Sequence, residues 1–116
     1  MKITIDDIPP SLNSIIFMAK KHWGAYYGYK KKWKDKVHAC ISDDSVLFKE
    51  PVIITITYFF GNKHKHDFDN YSGKFILDGL SGKVIEDDSS KQITELRIRF
   101  NYDKDNPRTE VDIKKG

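Results

Sequence analysis

Hydrophobic and polar positions along the chain follow two periods, two and about 3.6, and they alternate in blocks. Lys2-Ile3-Thr4-Ile5-Asp6 alternates polar and apolar residues, which predicts a short half-buried strand. Asp7-Ile8-Pro9-Pro10-Ser11-Leu12-Asn13 ends it, because two prolines cannot donate to a sheet ladder. The stretch from Ser14 to Gly28 fits either loop or irregular helix: Ile15, Ile16, Phe17 and Met18 are apolar, while Gly24 and Gly28 bracket the aromatic patch His22, Trp23, Tyr26 and Tyr27. From Tyr29 the period is helical. Tyr29, Trp33, Val37, Cys40 and Ile41 fall three and four apart, with lysines on the other face, so Trp33 is expected in the core.

A polar loop from Ser42 to Glu50 leads to Val52-Ile53-Ile54-Thr55-Ile56-Thr57-Tyr58-Phe59-Phe60. This β-branched and aromatic run predicts the central strand, covered on both faces. A helix is expected from about Asn70 to Leu80, burying Tyr71, Phe75, Ile76, Leu77 and Leu80, with Asp69 or Asn70 as its cap. Gln92 to Phe100 alternates again, with Leu96, Ile98 and Phe100 on one side. Asn101 to Arg108 is expected as a hairpin-like loop before a terminal strand at Thr109-Glu110-Val111-Asp112-Ile113. The order is β-α-β-α-β-β. It predicts one α+β domain over residues 1–116, a mixed sheet with helices packed on its faces and an antiparallel C-terminal strand pair.

Composition narrows the class. The 116 residues are 39% hydrophobic and 32% charged, as in a soluble globular domain, and 13% aromatic. The net charge of +3 is mild, but Lys20, Lys21, Lys30, Lys31, Lys32, Lys34 and Lys36 crowd the first third. Such a face is either simply solvated or a phosphate-binding surface. The lone Cys40 makes no internal disulfide, and the start Met1-Lys2-Ile3 lacks a signal-peptide hydrophobic region, so a cytoplasmic protein is expected. No apolar run approaches the roughly 20 residues that span a bilayer, which argues against a membrane partner.

The chemistry concentrates in His66-Asp67-Phe68-Asp69-Asn70. In an extended backbone, carboxylates at i and i+2 project to one side, so Asp67 and Asp69 are expected to face one point. Two such charges about 4 Å apart repel by roughly 4 kcal/mol at an effective dielectric near 20, a cost a hard cation removes. Oxygen-only ligands suit Mg²⁺, with Mn²⁺ as a substitute, better than zinc. Lys63, His64, Lys65 and His66 precede the pair and Lys74 follows it, giving an acidic point in a basic neighbourhood, as a metal-dependent enzyme acting on a polyanion requires. An Asp-x-Asp spacing alone is common in loops. For Asp78 the simplest role is an ion pair with Lys74, four residues before it.

Other motifs fail on their residues. His64-Lys65-His66-Asp67 begins like a dinuclear zinc-hydrolase motif, but Phe68 stands where an aspartate is needed. Asp103-Lys104-Asp105-Asn106 begins like a calcium loop, but Pro107 takes a ligand position and Arg108 the turn glycine's. No glycine-rich phosphate loop is present, nor any other sign of a small-molecule cofactor.

Taken together, Ile8-Pro9-Pro10-Ser11-Leu12-Asn13, the basic run ending in Asp67-Phe68-Asp69-Asn70, the helix Lys74-Phe75-Ile76-Leu77-Asp78-Gly79-Leu80 and Val84-Ile85-Glu86-Asp87-Asp88 before a strand resemble the RusA family of Holliday-junction resolvases. The resemblance covers nearly the whole chain. It implies a small homodimeric, Mg²⁺-dependent endonuclease of bacteria and their prophages that cuts four-way DNA junctions in paired symmetric nicks during recombination and repair. The family's metal-binding aspartates fall on Asp67, Asp69 and Asp88, with Asp87 beside the last. The helical lysine falls on Lys74, aligned backwards from Leu80, and His64 and His66 stand where relatives carry arginines. Lys30, Lys31 and Lys34, with the run 63–66, are then expected to grip DNA phosphates. Three alternatives stay open: a branched-DNA-binding protein without catalysis, a nuclease for forks or flaps, and an interaction module whose acidic cluster only caps a helix.

Overall fold

The computed structural model describes residues 1–45 and 47–116; Val46, inside the expected loop 42–50, lies outside them. Among the described residues, four strands form one mixed sheet in the order β1-β4-β2-β3. They are β1 (Lys2–Ile5), β2 (Val52–Phe60), β3 (Ile93–Tyr102) and β4 (Arg108–Lys115). The α-helices are α1 (Leu12–Lys21), α2 (Trp23–Ala39) and α3 (Lys74–Leu80), and a single 3₁₀ turn spans Phe68–Asn70. The α+β class and single domain expected from the sequence are what the chain adopts.

β2 is central, as its composition demands, but only one of its faces is fully covered. Val52, Ile54, Ile56, Tyr58 and Phe60 are buried while the residues between them are partly exposed. The buried side chains of the helices and strands form a single cluster, so the helices share one face of the sheet. On the other face Thr55 and Thr57 lie among charged neighbours such as Lys2, Arg97, Arg99 and Glu110. The expectation of helices on both faces is corrected: β2 reads as fully apolar because aromatic and β-branched residues suit strands on either face.

The C-terminal strands are not a hairpin. β3 pairs parallel with β2, Tyr58 opposite Phe100, and β4 pairs antiparallel with β2 on its other side, Ile56 opposite Val111. The loop after β3 therefore crosses the end of β2, where the Asp103 N–H donates to the Phe60 carbonyl at 2.9 Å. A parallel β2–β3 pair needs a long crossover, and residues 61–92 with α3 supply it. Alternation within each strand says which residues share a face, but not which strand lies beside which.

Two helix boundaries also moved. The uncertain stretch 14–28 is helical: α1 begins at the cap Ser11, whose hydroxyl accepts the Ser14 N–H, and α2 starts at Trp23 rather than Tyr29, with His22 extended at the corner between them. α3 begins at Lys74 rather than Asn70, because Gly73 before it takes a left-handed φ of 82° that stops any helix from running through. Gly73 also lies so close to Ile56 that a Cβ there would meet its Cδ1 at 2.7 Å.

Trp33 and Val37 anchor the second half of α2 in the core, and Val37 rests directly on Gly79 of α3. A Cβ at Gly79 would lie 2.6 Å from the Val37 Cβ, inside contact distance and against a stiff β-branched side chain. Gly79→Ala is expected to lose about 1–3 kcal/mol of stability despite alanine's better helix propensity, an overpacking cost that urea denaturation will measure.

Candidate active site

Beyond the end of β2 the chain folds back over the covered face, held by aromatic packing. The His66 ring stacks on Phe60 at 3.6 Å between centroids, and Phe68 stacks on Phe100 at 4.1 Å. Tyr71 closes against Tyr58, Phe60 and Phe100. Tyr58 is buried beneath them; burial, with a smaller contribution from Tyr71, raises its phenol well above the ordinary range, so it stays neutral.

These rings fix the residues that flank Asp67 and Asp69, while both aspartates stay exposed. Among the described residues neither carboxylate accepts a hydrogen bond or pairs with a cation. The segment is not extended throughout. Asp67 is extended, but Asp69 lies in the 3₁₀ turn, closed by the Asn70 N–H on the Asp67 carbonyl at 3.0 Å. Strand alternation therefore does not govern Asp69, because a 3₁₀ turn advances about 120° per residue. Neither Asp69 nor Asn70 caps α3. Asn70 instead accepts the backbone N–H of Asn13 in the first turn of α1 at 2.9 Å, which ties that helix to the acidic segment.

Lys74 opens α3 and is half-exposed, its Nζ 3.6 Å from the Asp78 carboxylate, the pair expected from their spacing. It lines a shallow cleft with Pro10, Leu12, Asn70 and Ser72. In the basic run, Lys63 lies over the Tyr102 ring, while His64 and Lys65 are exposed. His66 is occupied: its ring is stacked on Phe60 and its Nε2 lies 3.2 Å from the Asn62 Oδ1. Lys30, Lys31 and Lys34 stand exposed on α2, Lys31 with Asp35 at 3.9 Å.

Asp87 and Asp88 are exposed at the other end of the sheet. Their loop is stapled by Gln92, a buried side chain whose Oε1 accepts the Glu86 and Asp87 N–H groups at 2.8 and 3.1 Å. Its Nε2 donates to the Phe48 and Glu50 carbonyls at 2.6 and 3.4 Å. Gln92 itself precedes Ile93, which pairs with Val52, whereas Phe68 sits over Phe100, level with Tyr58. Six residues of register at about 3.3 Å each put Asp88 on the order of 20 Å from the Asp67–Asp69 segment. One chain brings Asp67, Asp69 and Lys74 to one end and leaves Asp88 at the other. Among the described residues there is no cluster of three or more metal-ligating side chains.

Compared with protein-family models, residues 10–114 match the one described as Endodeoxyribonuclease RusA. The chain belongs to the RusA family. Its members are endodeoxyribonucleases that act on branched DNA junctions and depend in general on a divalent metal. A search of curated proteins finds no match. For a RusA-family chain the donor chemistry is apt in part: Asp67 and Asp69 are oxygen donors with no competing cation, as a hard ion requires. Asp88 of the same chain is too distant to join them.

Gln92 escaped the sequence reading, because a glutamine at the head of a strand carries no periodic or motif signal. Asn70 stood in the motif, but its partner on α1 lies 57 positions away. Gln92→Ala leaves two N–H donors and two carbonyls without their partner. It is expected to cost about 1–3 kcal/mol and to speed amide exchange at Glu86 and Asp87, measurable by denaturation and by hydrogen exchange.

Proposed function

We propose that this chain is a homodimeric, Mg²⁺-dependent endonuclease that resolves four-way DNA junctions by paired symmetric nicks in recombination and repair, in the cytoplasm of bacteria or of prophage carriers. The observation that carries this reading is the exposed pair Asp67 and Asp69, without a lysine or arginine partner among the described residues and clamped at the end of the central strand of a RusA-family chain.

The distance to Asp88 supports the dimer. Among the described residues β3 is an edge of the sheet, paired only with β2. Two copies joined antiparallel along that edge by a two-fold axis would set the Phe100 end of one against the Ile93 end of the other. Asp88 of the partner subunit would then stand beside Asp67 and Asp69, giving two equivalent sites for a substrate with two equivalent strands to cut. In that arrangement Asp67 and Asp69 would hold the ion jointly with the partner subunit's Asp88, with Asp87 as the reserve. When bound, Mg²⁺ supplies a polarised water and relieves charge at the leaving oxygen; Mn²⁺ suits the same donors.

This chain's other residues bind and orient. Lys74, released from Asp78, offers its Nζ to a phosphate oxygen. Lys63, Lys65, Lys30, Lys31 and Lys34 contact backbone phosphates, which makes binding salt-sensitive. His64 is exposed beside them and can donate a ring N–H to a phosphate oxygen, and His66 serves mainly to pin the segment.

The same 20 Å separation favours one rival, a branched-DNA-binding protein that does not cut. Nicking of a synthetic four-way junction decides between them. Asp69→Asn is expected to reduce Mg²⁺-dependent nicking on the order of a hundredfold or more, the scale of losing one charge-stabilising group, while junction binding holds or tightens. A mixture of Asp69→Asn and Asp88→Asn subunits should recover single nicks, because one site of each mixed dimer carries both changes and the other carries none. Nicking retained by Asp69→Asn removes its metal role, absence of recovery in the mixture removes the shared site, and wild-type binding without nicking selects the rival. Parallel assays on forks and flaps rank the substrates.

A further inference from the structure

Where α1 meets α2 the chain builds a corner with almost no interior. Every residue from Lys20 to Lys31 is exposed except Tyr26, which is partly covered, and the first half of α2 contributes no buried side chain. The corner is nevertheless aromatic. Trp23 is 60% exposed, Tyr27 54% and Phe17 60%. Trp23 stacks on Tyr26 at 5.5 Å and meets Tyr27 edge-on at 5.4 Å, so the rings form a cluster with open faces. Hydrophobic surface of this kind, on a half-helix that reaches the core only through the partly covered Tyr26, marks a binding surface.

Charge says what it binds. From Ile8 to Lys34 the sequence holds six lysines and no carboxylate. On α2, Trp23, Tyr27, Lys30, Lys31 and Lys34 follow at i, i+4, i+7, i+8 and i+11, which places the aromatic pair and three lysines on one side of the helix. On α1 the Lys21 Nζ lies 4.6 Å from the centroid of the Phe17 ring. A second copy of this chain would bring like charge against like, whereas a polyanion with exposed flat faces meets both features. The corner is also tied to the acidic segment: α1 starts at the Asn13–Asn70 hydrogen bond and ends about 15 Å away after ten residues.

We propose that Trp23 and Tyr27 stack on bases left unstacked at the branch point of DNA while Lys30, Lys31 and Lys34 hold the flanking phosphates. The corner then selects branched over linear DNA, since a continuous duplex offers the phosphates but no open base face. This rests on the junction-directed reading above and adds a selectivity surface outside the acidic site.

The test is equilibrium binding by the full chain in EDTA, on a four-way junction with 2-aminopurine at the branch point and on a linear duplex of equal length. Trp23→Ala with Tyr27→Ala is expected to weaken junction binding by about tenfold or more, the effect of losing one to two base stacks. Duplex binding should change less than about twofold, and the branch-point fluorescence quench should disappear. Trp23→Phe should restore both, which separates stacking from misfolding. Lys30→Gln with Lys31→Gln and Lys34→Gln should weaken both substrates and lower the salt slope.

Equal losses on junction and duplex, an unchanged quench, or a shift from dimer to monomer in sedimentation with Trp23→Ala would overturn the proposal, the last by assigning the corner to a second copy. Failure of the nuclease reading looks different: the wild type would bind junctions with the quench intact yet not nick them with Mg²⁺.

Discussion

Among the described residues Asp67 and Asp69 accept no hydrogen bond and pair with no lysine or arginine, so their position depends on the rings around them. His66 on Phe60 and Phe68 on Phe100 alternate with Asp67 and Asp69 along the chain. Each aromatic pair removes apolar area from water and fixes a ring plane, and stacked pairs add about 0.5–1.5 kcal/mol beyond area. The clamp thus sets the backbone while leaving the acidic side chains in solvent. Tyr71, Gly73 and the neutral Tyr58 complete the floor beneath.

The same clamp explains why the topology matters to the chemistry. Because β3 runs parallel to β2, the crossover must start at one end of the sheet and return to the other. Asp67 and Asp69 lie near its start and Asp88 near its finish, with α3 and a glycine-bearing turn between. Carboxylates 21 positions apart are held at opposite ends of one rigid sheet, and Gln92 holds the far end as firmly as the rings hold the near one. A site drawing on both ends would have to draw on two copies of the chain, as the proposed dimer does.

The cationic side of the molecule is separate from the acidic one in sequence but joined to it through Asn70 and Asn13. The fully buried side chains of α2, Trp33 and Val37, lie in its second half, so its first half projects with lysines and aromatic rings outward. Concentrated positive charge costs stability through self-repulsion and is tolerated where solvent screens it, which is what the exposed corner provides.

Much of this was legible in the chain. The strands at the N-terminus and at 52–60, the core role of Trp33, the Lys74–Asp78 pair and the α+β class follow from side-chain period, β-branched content and residue spacing, which are local properties, and the family was legible as a resemblance of motifs. The stretch holding Trp23 and Tyr27 fitted either loop or irregular helix, and even a clear helical period says which residues share a face but not whether anything covers it. The partner of β3, the bare face of the sheet, the 3₁₀ turn at Asp69, the grip of Gln92 and the separation of Asp88 belong to the tertiary structure. Each depends on contacts between residues tens of positions apart, whose energies no local pattern encodes, and it is those contacts that decide which of the recognisable acidic groups can meet.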